Sequence, residues 1–70
     1  MGTRYTAVIK EADGVWIGWV EEIPGVNCQE STREQLIRSL QETLREALEF
    51  NRADAIGAAG IGYEELEIAV

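Results

Sequence analysis

The sequence contains no histidine and a single cysteine, and these absences exclude several kinds of site. Without histidine, the chain has no base for a histidine-dependent Ser or Cys triad and no ligand set for a Cys/His zinc centre. Cys28 has no partner for an internal disulfide, and a lone thiol is typical of the reducing cytoplasm. We expect Cys28 to be a half-buried apolar residue of a strand rather than a nucleophile.

Long apolar runs are also missing. The segment after Met1-Gly2-Thr3-Arg4 alternates between apolar and polar residues, whereas a signal peptide needs a continuous apolar stretch. We therefore expect a cytoplasmic protein that makes no membrane contact. Thirteen acidic and six basic side chains give a formal net charge of −7. This charge repels phosphate backbones, so we expect no direct nucleic-acid binding and favour a basic protein partner.

The 70 residues are enough for one domain, spanning residues 1–70. A domain this small buries only about 60% of the surface that its unfolded chain exposes. Small cores of this kind often need a staple or a partner, and a disulfide is not available here.

Alternating apolar residues separated by turn signals predict three strands. Arg4–Ala12 and Val15–Glu22 flank Asp13-Gly14, which is a strong hairpin signal. Val26–Glu30 follows the turn at Pro24-Gly25 and predicts a short third strand.

A helix is predicted after the third strand. Ser31-Thr32-Arg33-Glu34 fits a capping box with Ser31 as the cap and Thr32 as the neighbouring alternative. One apolar stripe at spacings of three and four follows: Leu36, Ile37, Leu40, Leu44, Ala47 and Leu48. The helix is expected to end between Phe50 and Ala55, with the glycine-rich segment 57–62 as a connector to a last strand over Tyr63–Val70.

The order β-β-β-α-β predicts an α+β fold with a four-stranded mixed sheet and one helix on one face. A right-handed crossover would place the fourth strand beside the first and parallel to it, giving the sheet order 3-2-1-4.

The predicted sheet has two apolar faces for one helix. A two-residue hairpin loop pairs Ile9 with Gly18, and glycine at this position would let the helix approach closely. The opposite face is then left uncovered, and we predict it to be an interface with Trp19 as its main anchor: Val8, Val15, Ile17 and Trp19. A homodimer or higher homo-oligomer through this face or through a sheet edge is expected.

Paired carboxylates are present, but their positions do not favour catalysis. Glu11 with Asp13, Glu21 with Glu22, and the pair 64–65 lie near predicted turns or strand ends, where acidic residues are commonly solvated. We therefore predict no catalytic residue, no metal site and no cofactor site.

Glu22-Ile23-Pro24-Gly25 resembles the acidic-aliphatic-Pro-Gly signature of the HicB-like antitoxin family. Tyr5–Ile9 looks like the opening strand of that family, Thr32–Ile37 resembles its helix start, and Tyr63–Val70 is similar to its last strand. Glu30 departs from the pattern, since a glycine is frequent there.

This resemblance implies a reduced RNase H-like fold and a non-enzymatic antitoxin that binds and neutralises a HicA-like toxin, a small basic mRNA-cleaving protein. Because the sequence stops after the predicted last strand, the C-terminal DNA-binding segment of many such antitoxins is not carried over. An orphan regulatory or small-ligand-binding domain without a toxin, and a degenerate metal-dependent nuclease, remain the alternatives.

Overall fold

A computed structural model describes residues 4–70 and shows three strands followed by one helix. The strands are β1 (Ala7–Ala12), β2 (Val15–Val20) and β3 (Asn27–Glu30), and the helix α1 is Arg33–Ala59. The sheet order is β1-β2-β3, and both neighbouring pairs are antiparallel. The predicted α+β class is therefore confirmed as a three-stranded antiparallel sheet with one helix. The expectation that Met1–Thr3 begins no signal peptide lies outside the described residues.

The hairpin between β1 and β2 has the predicted register. Ala12 lies opposite Val15 and Ile9 lies opposite Gly18. The register follows from the turn, where Asp13 (φ 54°) and Gly14 (φ 78°) both adopt the left-handed backbone that a type I′ turn needs.

A second tight turn leads from β2 to β3. The Val26 N–H donates to the Ile23 carbonyl at 3.4 Å across Pro24 and Gly25. Proline followed by a glycine with φ 91° is the signature of a type II turn. The turn inserts Val26 into the core, where only 2% of its surface is exposed.

The core lies between α1 and the sheet face that carries Gly18. Its buried side chains are Val20, Val26, Leu36 and Leu40. A Cβ atom placed on Gly18 would lie 3.1 Å from Leu40 Cδ1, so the helix approaches the sheet as closely as glycine allows. The predicted placement of the helix over Gly18 is confirmed. Cys28 is half-buried in β3, as expected, with its Sγ 3.4 Å from Thr43 Oγ1.

The helix cap is shifted by one residue from the predicted Ser31. Thr32 has extended backbone angles, and its Oγ1 accepts a hydrogen bond from the Gln35 N–H at 3.1 Å. The Ser31 hydroxyl instead donates to Gln35 Oε1 at 2.8 Å. Ser31 as the cap is therefore wrong and the alternative, Thr32, is right, because Thr32 and Gln35 also have capping-box spacing.

The helix is longer than predicted, since it continues to Ala59 and includes Gly57. Four alanines, at positions 53, 55, 58 and 59, favour helix, and one internal glycine costs only about 1 kcal/mol relative to alanine. The helix ends at Gly60, whose φ of 74° leaves the helical region and whose N–H donates to the Ile56 carbonyl at 3.3 Å.

The predicted fourth strand is not formed in the described chain. Residues 63–70 adopt no regular structure and all are exposed, so the four-stranded order 3-2-1-4 is not present. The long helix explains this difference. Ala47 is the last helical residue that packs on the core, and the helix axis advances about 18 Å further before Ala59 at 1.5 Å per residue. The chain therefore leaves the helix well beyond the sheet.

Candidate functional site

The sheet surface that faces away from α1, which we call the open face, is defined by the side chains that alternate with Gly18. On β1 and β2 and their ends these are Thr6, Val8, Lys10, Val15, Ile17, Trp19 and Glu21. Strand pairing places Val8 opposite Trp19, with Asn27 of β3 on the other side of the tryptophan. The four residues predicted from the sequence to form an interface therefore lie together on one surface: Val8, Val15, Ile17 and Trp19.

These four apolar residues are more exposed than the core. Trp19 is 40% exposed, and Val8, Val15 and Ile17 are half-buried. None of the four belongs to the hydrophobic core cluster, which lies on the opposite side of the sheet. Among residues 4–70, no helix or strand packs over the open face, so its apolar side chains are available to a partner.

Acidic residues border the open face at both ends. Glu21 and Glu22 follow β2, while Asp13 lies in the hairpin turn at the other end. The Glu22 carboxylate accepts a hydrogen bond from the Thr6 N–H at 2.9 Å, and this bond lowers the pKa of Glu22 below its ordinary value. Lys10 is the one basic side chain on the face itself. The surroundings of the patch are therefore net negative.

A second surface, which the sequence did not predict, lies between α1 and β1. We call it the edge groove; it has a volume of about 310 Å³ and is lined mainly by Tyr5, Ala7, Ile9, Arg33, Ile37 and Leu44. Ile37 and Leu44 are only half-buried, although both belong to the apolar stripe of the helix. The sequence signal for this groove is the apolar stripe itself, which includes these two residues.

Reactive groups are not brought together in the part of the chain that the structure describes. In residues 4–70 there is no group of three or more His, Cys, Asp or Glu side chains that could hold a metal ion. Glu11, Asp13 and Glu64 are exposed, and Glu65 forms an exposed ion pair with Arg52 at 3.3 Å. The described helix also lacks the apolar character required for crossing a bilayer.

Comparisons with protein-family models, with curated proteins and with solved structures find no match to this chain.

Proposed function

We propose that this chain is a non-enzymatic binding domain whose open face covers a small basic protein. The observation that carries the proposal is Trp19, 40% exposed beside Val8 and Ile17 on a sheet face that no described element covers. The resemblance to HicB-like antitoxins supports a HicA-like mRNA-cleaving toxin as the partner, which would be neutralised by being bound.

The composition of the open face suits an interface. Tryptophan is enriched among residues that dominate binding energy, because its large ring buries much apolar surface while losing few rotamers. Val8, Val15 and Ile17 are β-branched and held on a paired sheet, so they lose little conformational entropy when a partner covers them.

Charge selects the class of partner. The chain carries a formal net charge of −7, and Glu21, Glu22 and Asp13 stand at the ends of the open face. Complementary charge speeds encounter and disfavours wrong partners. A basic, RNA-binding protein is attracted by this field, whereas a nucleic acid is repelled by it.

The same proposal includes the other properties implied by the resemblance. The chain acts in the cytoplasm, performs no chemistry of its own, and forms a dimer or higher homo-oligomer. Once the chain has self-associated, its fold is the reduced RNase H-like arrangement in which a fourth strand joins the sheet beside β1, in the order 3-2-1-4. The exposed alternating segment Tyr63–Val70 supports this last point, since its pattern is that of a strand.

Co-expression with a small basic ribonuclease encoded beside the chain tests the proposal. The wild-type chain should restore growth and co-purify with the toxin. Trp19→Glu should do neither, because it replaces the large aromatic side chain of the apolar patch with a charge. Phe50→Glu is the matched control: Phe50 is 69% exposed on α1, away from the sheet, and its variant should behave as wild type.

Two results would overturn the proposal. One is that the wild-type chain forms no complex with any such toxin. The other is that the purified chain cleaves RNA in a metal-dependent manner that Glu11→Gln or Glu22→Gln abolishes, which would indicate a nuclease instead.

A further inference from the structure

We infer that the edge groove is filled by residues Tyr63–Val70 of a second copy of the chain, which add a strand to the free edge of β1. Two copies exchanging these segments form a reciprocal dimer. The inference deepens the self-association part of the proposed function and does not depend on the existence of a toxin.

The free edge of β1 has backbone groups that can pair with another strand. The Glu21 N–H donates to the Thr6 carbonyl at 2.9 Å, so residues of the same parity as Thr6 direct their backbone polar groups towards β2. The N–H and C=O groups of Ala7, Ile9 and Glu11 consequently point to the open edge. An unpaired row of this kind is a template for strand addition.

The groove beside that edge supplies the apolar surface that an added strand needs. Side chains on one side of such a strand would enter the space between Ala7 and Ile9 of the sheet and Ile37 and Leu44 of the helix. Every second residue of an extended segment points into this space. The occupant must therefore alternate between apolar and polar residues.

Residues 63–70 have this alternation, but in the single chain they pair with no strand. Leu66, Ile68 and Val70 point to one side of an extended chain, and Glu65 and Glu67 point to the other. In the single chain, Leu66 and Ile68 are each 82% exposed and Val70 is fully exposed. Three adjacent large apolar side chains in water are a strong drive for association.

The geometry of the helix favours a second copy over closure within one chain. Glu65 lies beside Arg52, which is five residues beyond Ala47, the last helical residue on the core. At that point the segment is still about 8 Å along the helix from the core, and the residues 66–70 remain to reach it. At about 3.3 Å per residue, roughly half of these are needed to cover the distance. A segment from another copy enters the groove with Leu66, Ile68 and Val70 all available. The Arg52–Glu65 contact is exposed and is easily broken.

Charge also matches the segment to the groove. Arg33 lines the groove, and Arg45 lies in the depression that continues from it. Glu64 has the same parity as Leu66, so it would point towards the groove, whereas Glu65 and Glu67 would point away from it. One carboxylate of the added strand therefore faces the basic side chains of the groove.

Light scattering after size-exclusion chromatography of the full-length chain tests the inference. Over a dilution series centred on tens of micromolar, the wild type should have twice the 7.8 kDa mass of one chain. Ile68→Glu should raise the dimer dissociation constant by about tenfold or more, because it buries a charge in the groove. Ala69→Glu is the matched control: it adds the same charge on the outward side and should leave the dimer intact. Neither residue belongs to the core, so both variants should fold.

Hydrogen exchange at Ala7, Ile9 and Glu11 provides the second measurement, with protection expected to rise with protein concentration. A wild-type monomer over the whole range overturns the inference, as does a dimer that Ile68→Glu and Ala69→Glu affect equally. Protection of these amides in a monomer shows that the chain's own segment fills the groove, which also overturns it. Toxin binding is measured separately, so failure of the toxin proposal would leave these results unchanged.

Discussion

The close approach of α1 to Gly18 makes this glycine the most informative position for testing the fold. A Cβ atom at position 18 would lie 2.9 Å from Ile9 Cγ2, 3.1 Å from Leu40 Cδ1 and 3.1 Å from the Val8 carbonyl oxygen. The side chains can shift by a few tenths of an ångström, but the Val8 carbonyl is held in the sheet. Gly18→Ala should therefore overpack the core.

Overpacking of this size costs about 1–3 kcal/mol. A core in a domain this small rarely supplies more than about 3–5 kcal/mol, so the loss is a large fraction of the total stability. For a domain of this length, 1 kcal/mol corresponds to about 4–8 °C in Tm. The measurement is urea and thermal unfolding followed by circular dichroism, at one fixed protein concentration because self-association would shift the midpoint.

Gly57→Ala is the matched control for Gly18→Ala. Gly57 lies inside α1, and a Cβ atom there would have no neighbour within 4 Å. This variant should stabilise the chain by about 0.5–1 kcal/mol, because alanine favours helix and restricts the unfolded chain. If Gly18→Ala proved as stable as Gly57→Ala, the helix would not pack over Gly18, and the face carrying Trp19 would not be the open one.

Two further predictions concern the helix cap and pH. Thr32→Ala should cost about 1 kcal/mol in urea unfolding because the Gln35 N–H loses its acceptor; Ser31→Ala, which leaves that bond in place, should change stability by less than about 0.5 kcal/mol. The pKa of Glu22 is lowered because its carboxylate accepts a hydrogen bond from the Thr6 N–H. The contribution of Glu22 to folding stability is therefore present above the ordinary pKa of a glutamate, and it is lost as the pH falls through the lowered value. The stability difference between wild type and Glu22→Gln should therefore vanish on acidification, and a difference that grew would contradict this sign.

The elements that local chemistry determines were predictable from the sequence. Asp13-Gly14 sets a two-residue loop, which fixes the register of β1 and β2 and therefore assigns Gly18 and Trp19 to opposite faces. The turn at Pro24-Gly25 was also predictable, because proline followed by glycine is the signature of a type II turn. The predicted helix cap, Ser31, is wrong by one residue. The correct cap, Thr32, is the alternative within the same motif, because both residues have the hydroxyl that a cap needs.

The errors arose where two local preferences compete. The sequence pattern predicts one connector that contains both Gly57 and Gly60. Gly57 is nevertheless tolerated within an alanine-rich helix, and of these two glycines only Gly60 adopts a positive φ. The longer helix then carries Tyr63–Val70 away from the sheet, so a segment with the pattern of a strand has no strand to pair with in one chain. The edge groove stays open because no fourth strand covers it within one chain. A sequence pattern does not show such a groove.

The most direct test of the proposed function is the affinity of the open face for its basic partner. Isothermal titration of the purified chain with a catalytically inactivated form of the co-encoded basic ribonuclease measures it. Trp19→Glu should weaken binding by about thirtyfold or more, the factor that corresponds to about 2 kcal/mol for a residue that dominates an interface. Phe50→Glu, which adds the same charge on α1, should bind as the wild type does. Equal affinity of Trp19→Glu and wild type would contradict the assignment of the open face as the binding surface.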